Sequence, residues 1–337
     1  MTGTRPERTA LPSGPTGPER ATLDKAPHEN FPVAPFFLPR SWRADLMALY
    51  GYARLVDDIG DGDLAPGGAD ARALGVAPDD ADDRLLLLDA LEADVRRVFA
   101  RAGEAGPDAT NATGATDGGD GGEWVDGAEG PRHPLLRALE PTVRRHSLTA
   151  APFHGLIAAN RQDQQVRRYE TYEELLAYCE LSANPVGNLV LQVTGTTSPE
   201  RLRRSDAVCT GLQIVEHLQD VSEDLARDRI YLPAEDMRRF HVTEADLSAP
   251  TGSASVRALV AYQAERARGL LDEGHALVGS VHGRLRLLLA GFVGGGHAAL
   301  DAITAAGFDV LPGPPKPAKT TLLRQVGAVL RRARREG

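Results

Sequence analysis

The chain has 337 residues, 42% of them hydrophobic, and a formal net charge of -9. It can therefore bury a large core, and it lacks the basic footprint expected of a nucleic-acid-binding domain. Two cysteines, Cys179 and Cys209, are too few for a disulfide scaffold and have no zinc-site spacing, which fits a reducing cytoplasm.

Residues 1–27 hold five prolines and little apolar periodicity, so they are expected to form a disordered leader. They contain no apolar segment of the kind a secretory signal needs, and no run of about 18 apolar residues occurs anywhere in the chain. From Ser41, an N-cap candidate after Pro39, the residues Trp42, Leu46, Leu49, Ala53 and Val56 recur at helical spacing and predict a helix to about Asp58. Between Arg101 and Gly130 lie nine glycines and seven acids, which predict a flexible acidic insertion over about 101–131. Helical periodicity resumes at Leu135 and continues with breaks to about Ile303. Strand-like alternation is scarce and aromatic content is 5%, so residues 28–312 read as one all-α domain. The tail, 313–337, is basic: Lys316–Gly337 carries seven Lys/Arg and one acid, a local charge of +6 that leaves -15 for the rest. Leu322, Leu323, Val326, Val329 and Leu330 share one helical face, with Arg324, Arg331 and Arg335 opposite. Two readings fit this pattern equally: a helix lying on an anionic membrane, at the inner face of the cell membrane, or a stripe docked on its own domain.

Within the first predicted helix, Tyr50, Arg54, Asp57 and Asp61 fall at offsets 0, 4, 7 and 11, which at about 100° per residue places them on one face. Carboxylates four apart repel each other, and Mg²⁺, a hard cation held by carboxylates and substrate phosphates, is the natural compensation. Gly60 leaves open whether the helix reaches Asp61. A second segment repeats the pattern: Gln213, Glu216, Asp220 and Asp224 at offsets 0, 3, 7 and 11, followed by Arg227, Arg229 and Tyr231. One acidic pair is usually a solvated face; two, each accompanied by Arg and Tyr, suggest a metal cluster that neutralises a departing diphosphate. Arg54 and Arg229 are candidates for bidentate contacts to the same oxygens.

These residues resemble the squalene/phytoene synthase family, whose members carry one Asp-x-x-x-Asp and a second within an Arg-Asp-Val-x-Glu-Asp-like segment. The matches are Asp57 to Asp61, and Gln219-Asp220-Val221-Ser222-Glu223-Asp224 followed by Arg229-Ile230-Tyr231. The resemblance implies a class I isoprenoid synthase helical bundle around a central apolar cavity. It also implies metal ligation by Asp57, Asp61, Asp220 and Asp224, and substrate contacts from Tyr50, Arg54, Asn30, Asn184, Gln213, Glu216, Arg229 and Tyr231. Within the family the likeness is to hydroxysqualene-forming members of bacterial hopanoid pathways, carried by Glu29 to Val33, Ser182 to Asn188 and Gly307 to Leu311. That branch converts presqualene diphosphate to hydroxysqualene with Mg²⁺, which implies a presqualene diphosphate synthase upstream and a flavin-dependent hydroxysqualene reductase downstream. Head-to-head condensation of farnesyl diphosphate is the enzymatic alternative, and a non-catalytic prenyl-lipid or partner-binding protein at the membrane is the alternative of another class. One departure stands out: Glu216, followed by His217, occupies a position where the family usually has Asn.

Other residues divide between site and scaffold. Asn160, Asp163 and Gln164 form a polar group at helical spacing that suits either a site or a hydrogen-bonded surface. Pro185 and Gly187 interrupt an apolar helix and are expected to bend it, with Asn184 and Asn188 as polar groups near a cation. His217 reads as structural more readily than as a base. His297 reads as core, and Gly294-Gly295-Gly296 as close helix packing.

Overall fold

The structure, a computed structural model, describes residues 22–26, 34–102 and 129–336. Fourteen α-helices occur among them: α1 Arg40–Asp61, α2 Ala69–Leu74, α3 Arg84–Ala102, α4 Pro134–His146, α5 Ala151–Gln162, α6 Tyr172–Ser182, α7 Asn184–Val193, α8 Pro199–Gln219, α9 Val221–Ala226, α10 Ala234–Arg239, α11 Glu244–Leu247, α12 Ala254–Gly279, α13 Gly283–Ala305 and α14 Lys319–Glu336. The described residues contain no strand, only an isolated bridge between Arg168 and Ile230.

Local sequence sets the boundaries. Pro134 and Pro199 sit in the first turns of α4 and α8, where the missing N–H costs nothing. Ser198, Thr171 and Ser253 accept from the backbone N–H of Arg201, Glu174 and Val256 to cap α8, α6 and α12. The first helix differs from its expectation at both ends. It begins at Arg40 with Pro39 as N-cap and no side-chain cap, so Ser41 lies inside the first turn. It runs through Gly60 to Asp61 because Gly62, at φ 76°, supplies the left-handed turn that ends it.

One apolar core runs through the bundle, and a small satellite cluster of Ala159, Tyr169, Leu175, Tyr178, Cys179 and Tyr231 lies beside it. α12 packs along α8 and against α13 and α14, while α1 packs on α3, α4, α5 and α7. The glycine run on α13 is packing surface, as expected: a Cβ at Gly294 would meet Val326 N and Cα at 2.8 Å, and one at Gly296 would meet Leu271 Cδ1 at 2.7 Å. α14 thereby docks on its own domain, burying Val329 and Ala333 and leaving Leu322 and Leu323 exposed. Of the apolar stripe of the tail, Val329 is buried, Val326 and Leu330 are half-buried, and Leu322 and Leu323 remain exposed. By length and composition α13 is long and apolar enough to cross a membrane, and 67% of its apolar window is buried inside the protein.

Thr22 is buried, Leu23 packs on the core and Lys25 pairs with the buried Asp58, so an apolar contact and an ion pair hold residues 22–26. Most of the predicted acidic insertion, and the Glu29 to Val33 segment with Asn30, lie outside the described residues.

Candidate active site

α1 carries the first acidic pair. Asp57 is accessible at its surface yet densely surrounded by protein. Burial pushes it up to about 7, with Asp61 and Glu216 adding to the rise and the Asn160 hydrogen bond and Arg54 opposing it. Asn160 Nδ2 donates to Asp57 Oδ1 at 3.2 Å. Arg54 shares the face, as the spacing predicted, but its Nε donates at 2.9 Å to Asp58 Oδ1, which also accepts from Lys25 Nζ at 2.7 Å. Asp58 escaped the sequence reading, although its i,i+4 spacing from Arg54 was a legible signal. Tyr50 is half-buried on the same helix.

The second acidic segment is not one continuous helix. α8 ends at Gln219, Asp220 leaves helical geometry (φ -104°, ψ 14°), and α9 begins at Val221. The hydrogen bonds from Asp220 N to Glu216 O (3.0 Å) and from Asp224 N to Asp220 O (2.8 Å) span the break and keep the acids together. Asp220 is pushed up to about 6, first by burial and then by Glu216, Glu223 and Asp224, with His217 opposing. Glu216 therefore repels both Asp57 and Asp220 and is the electrostatic link between the two segments.

Arginines from the loop after α9 join the segments. Arg229 is buried and donates from Nη1 to Asp61 Oδ1 at 2.7 Å, and Arg227 Nη1 donates to Asp61 Oδ2 at 2.9 Å. Arg227 also reaches Asp63 and was absent from the expected site. Behind Arg229, Asp163 accepts from Tyr178 Oη at 2.7 Å and from Tyr231 Oη at 3.0 Å. Burial pushes the Asp163 carboxyl up, against Tyr178, Arg229, Tyr231 and His217. Tyr231 is thus buried, with its hydroxyl occupied and its ring stacked on His217 at 3.8 Å and 11°. His217 Nε2 lies 3.3 Å from Gln213 Nε2, and its Nδ1 lies 3.9 Å from Asp224 Oδ2.

The polar trio on and just after α5 hydrogen-bonds to Asp57, the two tyrosines and the end of α1. Asn160 holds Asp57, Asp163 anchors the two tyrosines, and Gln164 Nε2 donates to Gly60 O and Asn160 O, both at 2.9 Å. Where a kink was expected near Pro185, two helices meet instead: α6 stops at Ser182 and α7 starts at Asn184 with Pro185 in its first turn. Asn184 Oδ1 accepts from Thr210 Oγ1 of α8 at 3.0 Å, and Asn188 Oδ1 accepts from Gln192 Nε2 at 2.9 Å.

The donor set fits a hard dication: only oxygens, in pairs, with Asp57 and Asp220 disfavoured as bare anions. Among the described residues these carboxylates do not gather as three ligands within 4.8 Å. Mg²⁺ keeps waters and is completed by substrate phosphates, so its site does not require such a gathering.

The squalene/phytoene synthase family model matches residues 25–324. The hydroxysqualene synthase of Zymomonas mobilis is 30% identical over 257 residues, covering 75% of this chain and 71% of that protein. The crystal structure of squalene synthase HpnC from Alicyclobacillus acidocaldarius superposes with TM-score 0.65 at 36% identity, covering 86% of this chain and 95% of that one. The 15-cis-phytoene synthase of Synechococcus elongatus is 27% identical over 257 residues, covering 73% of this chain and 70% of that protein.

Proposed function

The chain belongs to the squalene/phytoene synthase family and is an enzyme with its all-α class I isoprenoid synthase fold, and we propose that it converts presqualene diphosphate to hydroxysqualene and diphosphate. The observation that carries diphosphate chemistry is the apposition of two acidic segments coupled through Glu216, with Arg229 between Asp61 and Asp163. The similarity to a hydroxysqualene synthase supports this particular reaction. In this reading Asp57, Asp61, Asp220 and Asp224 hold Mg²⁺, which when bound neutralises charge developing on the leaving diphosphate.

The chain's own residues do the rest. Arg229, held by Asp61, and Arg54, held by Asp58, offer planar guanidinium donors that suit paired phosphate oxygens. Asn160 and Gln164 fix Asp57 and the end of α1, so the carboxylate faces the substrate in one orientation. As the C–O bond breaks, its electron pair leaves with diphosphate. The cyclopropylcarbinyl cation rearranges, and a water oxygen forms the new C–O bond and gives up a proton. The substrate would come from a presqualene diphosphate synthase, and a flavin-dependent reductase would consume the product. Membrane contact, in this reading, falls to Leu322, Leu323 and the arginines of α14 rather than to the whole stripe.

A second reading, head-to-head condensation of farnesyl diphosphate to presqualene diphosphate, squalene or dehydrosqualene, draws on the similarity to a phytoene synthase and to a protein described as a squalene synthase. Purified protein with Mg²⁺, given each diphosphate separately, distinguishes them. Hydroxysqualene from presqualene diphosphate, with farnesyl diphosphate untouched, is expected; consumption of farnesyl diphosphate would establish the second reading instead.

Glu216→Gln removes one repelling neighbour from both Asp57 and Asp220. Their folded values should fall together, and the acidic limb of the pH profile of kcat/KM is expected to move to lower pH by on the order of one unit or less. An acidic limb that stays in place would remove Glu216 from the working site.

A further inference from the structure

Away from the acidic segments, Asp272 and His275 on α12 and His297 on α13 place one ligand atom each within 4.8 Å of one another. Asp272 Oδ1 lies 3.6 Å from His275 Nδ1 and 3.5 Å from His297 Nε2. Donors bound to one tetrahedral zinc at about 2.0–2.1 Å are roughly 3.3 Å apart, so both gaps are near the edges of such a polyhedron and too long for good hydrogen bonds.

A second observation points to a ligand. His297 is 6% exposed, and its Nε2, the atom facing Asp272, is buried without a hydrogen-bond partner. A buried polar atom left unpaired is costly, so its retention calls for a reason. Burial, the largest influence on His297, pushes its imidazole below the ordinary value and keeps it neutral, with a lone pair to give. The His275 ring is also buried and lies near-parallel to His297, at 5.5 Å and 28°. Asp272, at 48% exposure, provides an entrance from solvent.

We propose that Asp272, His275 and His297 form a transition-metal site, binding Zn²⁺ through one carboxylate oxygen and two imidazole nitrogens with a fourth position open to water. Imidazole donors suit zinc, whereas the all-oxygen set of the acidic segments suits magnesium, so the two sites are separate in place and in metal. Two contacts must give way: Nδ1 of His275 lies 2.9 Å from Asp272 O, and Arg332 Nη1 lies 4.0 Å from Asp272 Oδ1. Arg332 is 53% exposed. The bound ion ties α12 to α13 beside the docked α14.

Full-length protein stripped with a chelator and titrated with Zn²⁺, without substrate, should bind one equivalent and melt at higher temperature. Co²⁺ should give the intense visible absorption of a tetrahedral ion. Asp272→Asn, at an exposed position that leaves the core intact, and His297→Gln should each lose that equivalent. Asp57→Ala, which alters only the acidic segments, should keep it. Absence of a one-equivalent event in the unaltered protein, or its persistence in Asp272→Asn, would overturn the proposal. Its loss in Asp57→Ala would assign the zinc to the acidic site, and also overturn it.

Discussion

Asp57→Ala and Asp220→Ala are each expected to lower turnover by at least on the order of 10²–10³-fold, the loss seen when one preorganised stabiliser of developing charge is removed, without unfolding the protein. Both carboxyls already oppose the fold when ionised, since their folded values stand at about 7 and about 6 against 3.8 ordinarily. Between about pH 4 and pH 7 the folded state therefore keeps protons that the unfolded chain has released, and stability falls as pH rises through that window. Above pH 7 the penalty is complete and constant. Asp57→Asn should accordingly melt at a higher temperature than the unaltered protein at pH 8 without Mg²⁺, and lose that advantage near pH 4. Undiminished turnover in either alanine variant would sink the metal-site reading, and a lower melting temperature for Asp57→Asn at pH 8 would remove the electrostatic argument for it.

Gly60→Ala should reverse the usual sign of its kind. In an exposed helix interior, replacing glycine by alanine gains about 1 kcal/mol. Here a Cβ would stand 1.9 Å from Asn160 Oδ1 and 2.8 Å from its Cγ, an overlap only displacement can relieve. Overpacking of this sort costs about 1–3 kcal/mol. The displaced Asn160 would also lose its 3.2 Å hydrogen bonds to Asp57 Oδ1 and Leu156 O, so turnover should fall with stability. Adding Asn160→Ala shortens the obstructing side chain, and the double variant should recover much of the stability but not the turnover. A Gly60→Ala protein that melts higher and works normally would show that the close approach has no bearing on the site.

Gly60 also marks how far the sequence could be read. Four polar residues on one face of α1 were legible because a helix repeats every few residues, but Gly60 looked like a weakness at its end. Its purpose lies with Asn160, whose amide bonds Asp57 across 103 positions of sequence, and no spacing rule encodes so distant a contact. The break at Asp220 was hidden for the opposite reason: Leu218 and Val221 stay in register and the i to i+4 hydrogen bonds continue on either side of one altered residue. Asp58 read as a neighbour of Asp57, yet Arg54 and Lys25 make it an anchor. On α14 the same apolar stripe suited lipid or protein, and the close approach of Val326 to Gly294, which docks part of it on α13, was not encoded in its own spacing.

The pairing of Arg229 with Asp61 has a kinetic consequence. In the proposed reading, a diphosphate that engages Nη1 of Arg229 would compete with Asp61, so capture would be an exchange of anions around one cation rather than the filling of a bare charge. The exchange would free Asp61 as the phosphate oxygens arrive and would reverse as the product departs. The return of Asp61 would then offset the attraction between Arg229 and its leaving anion and shorten the residence of a strongly charged product.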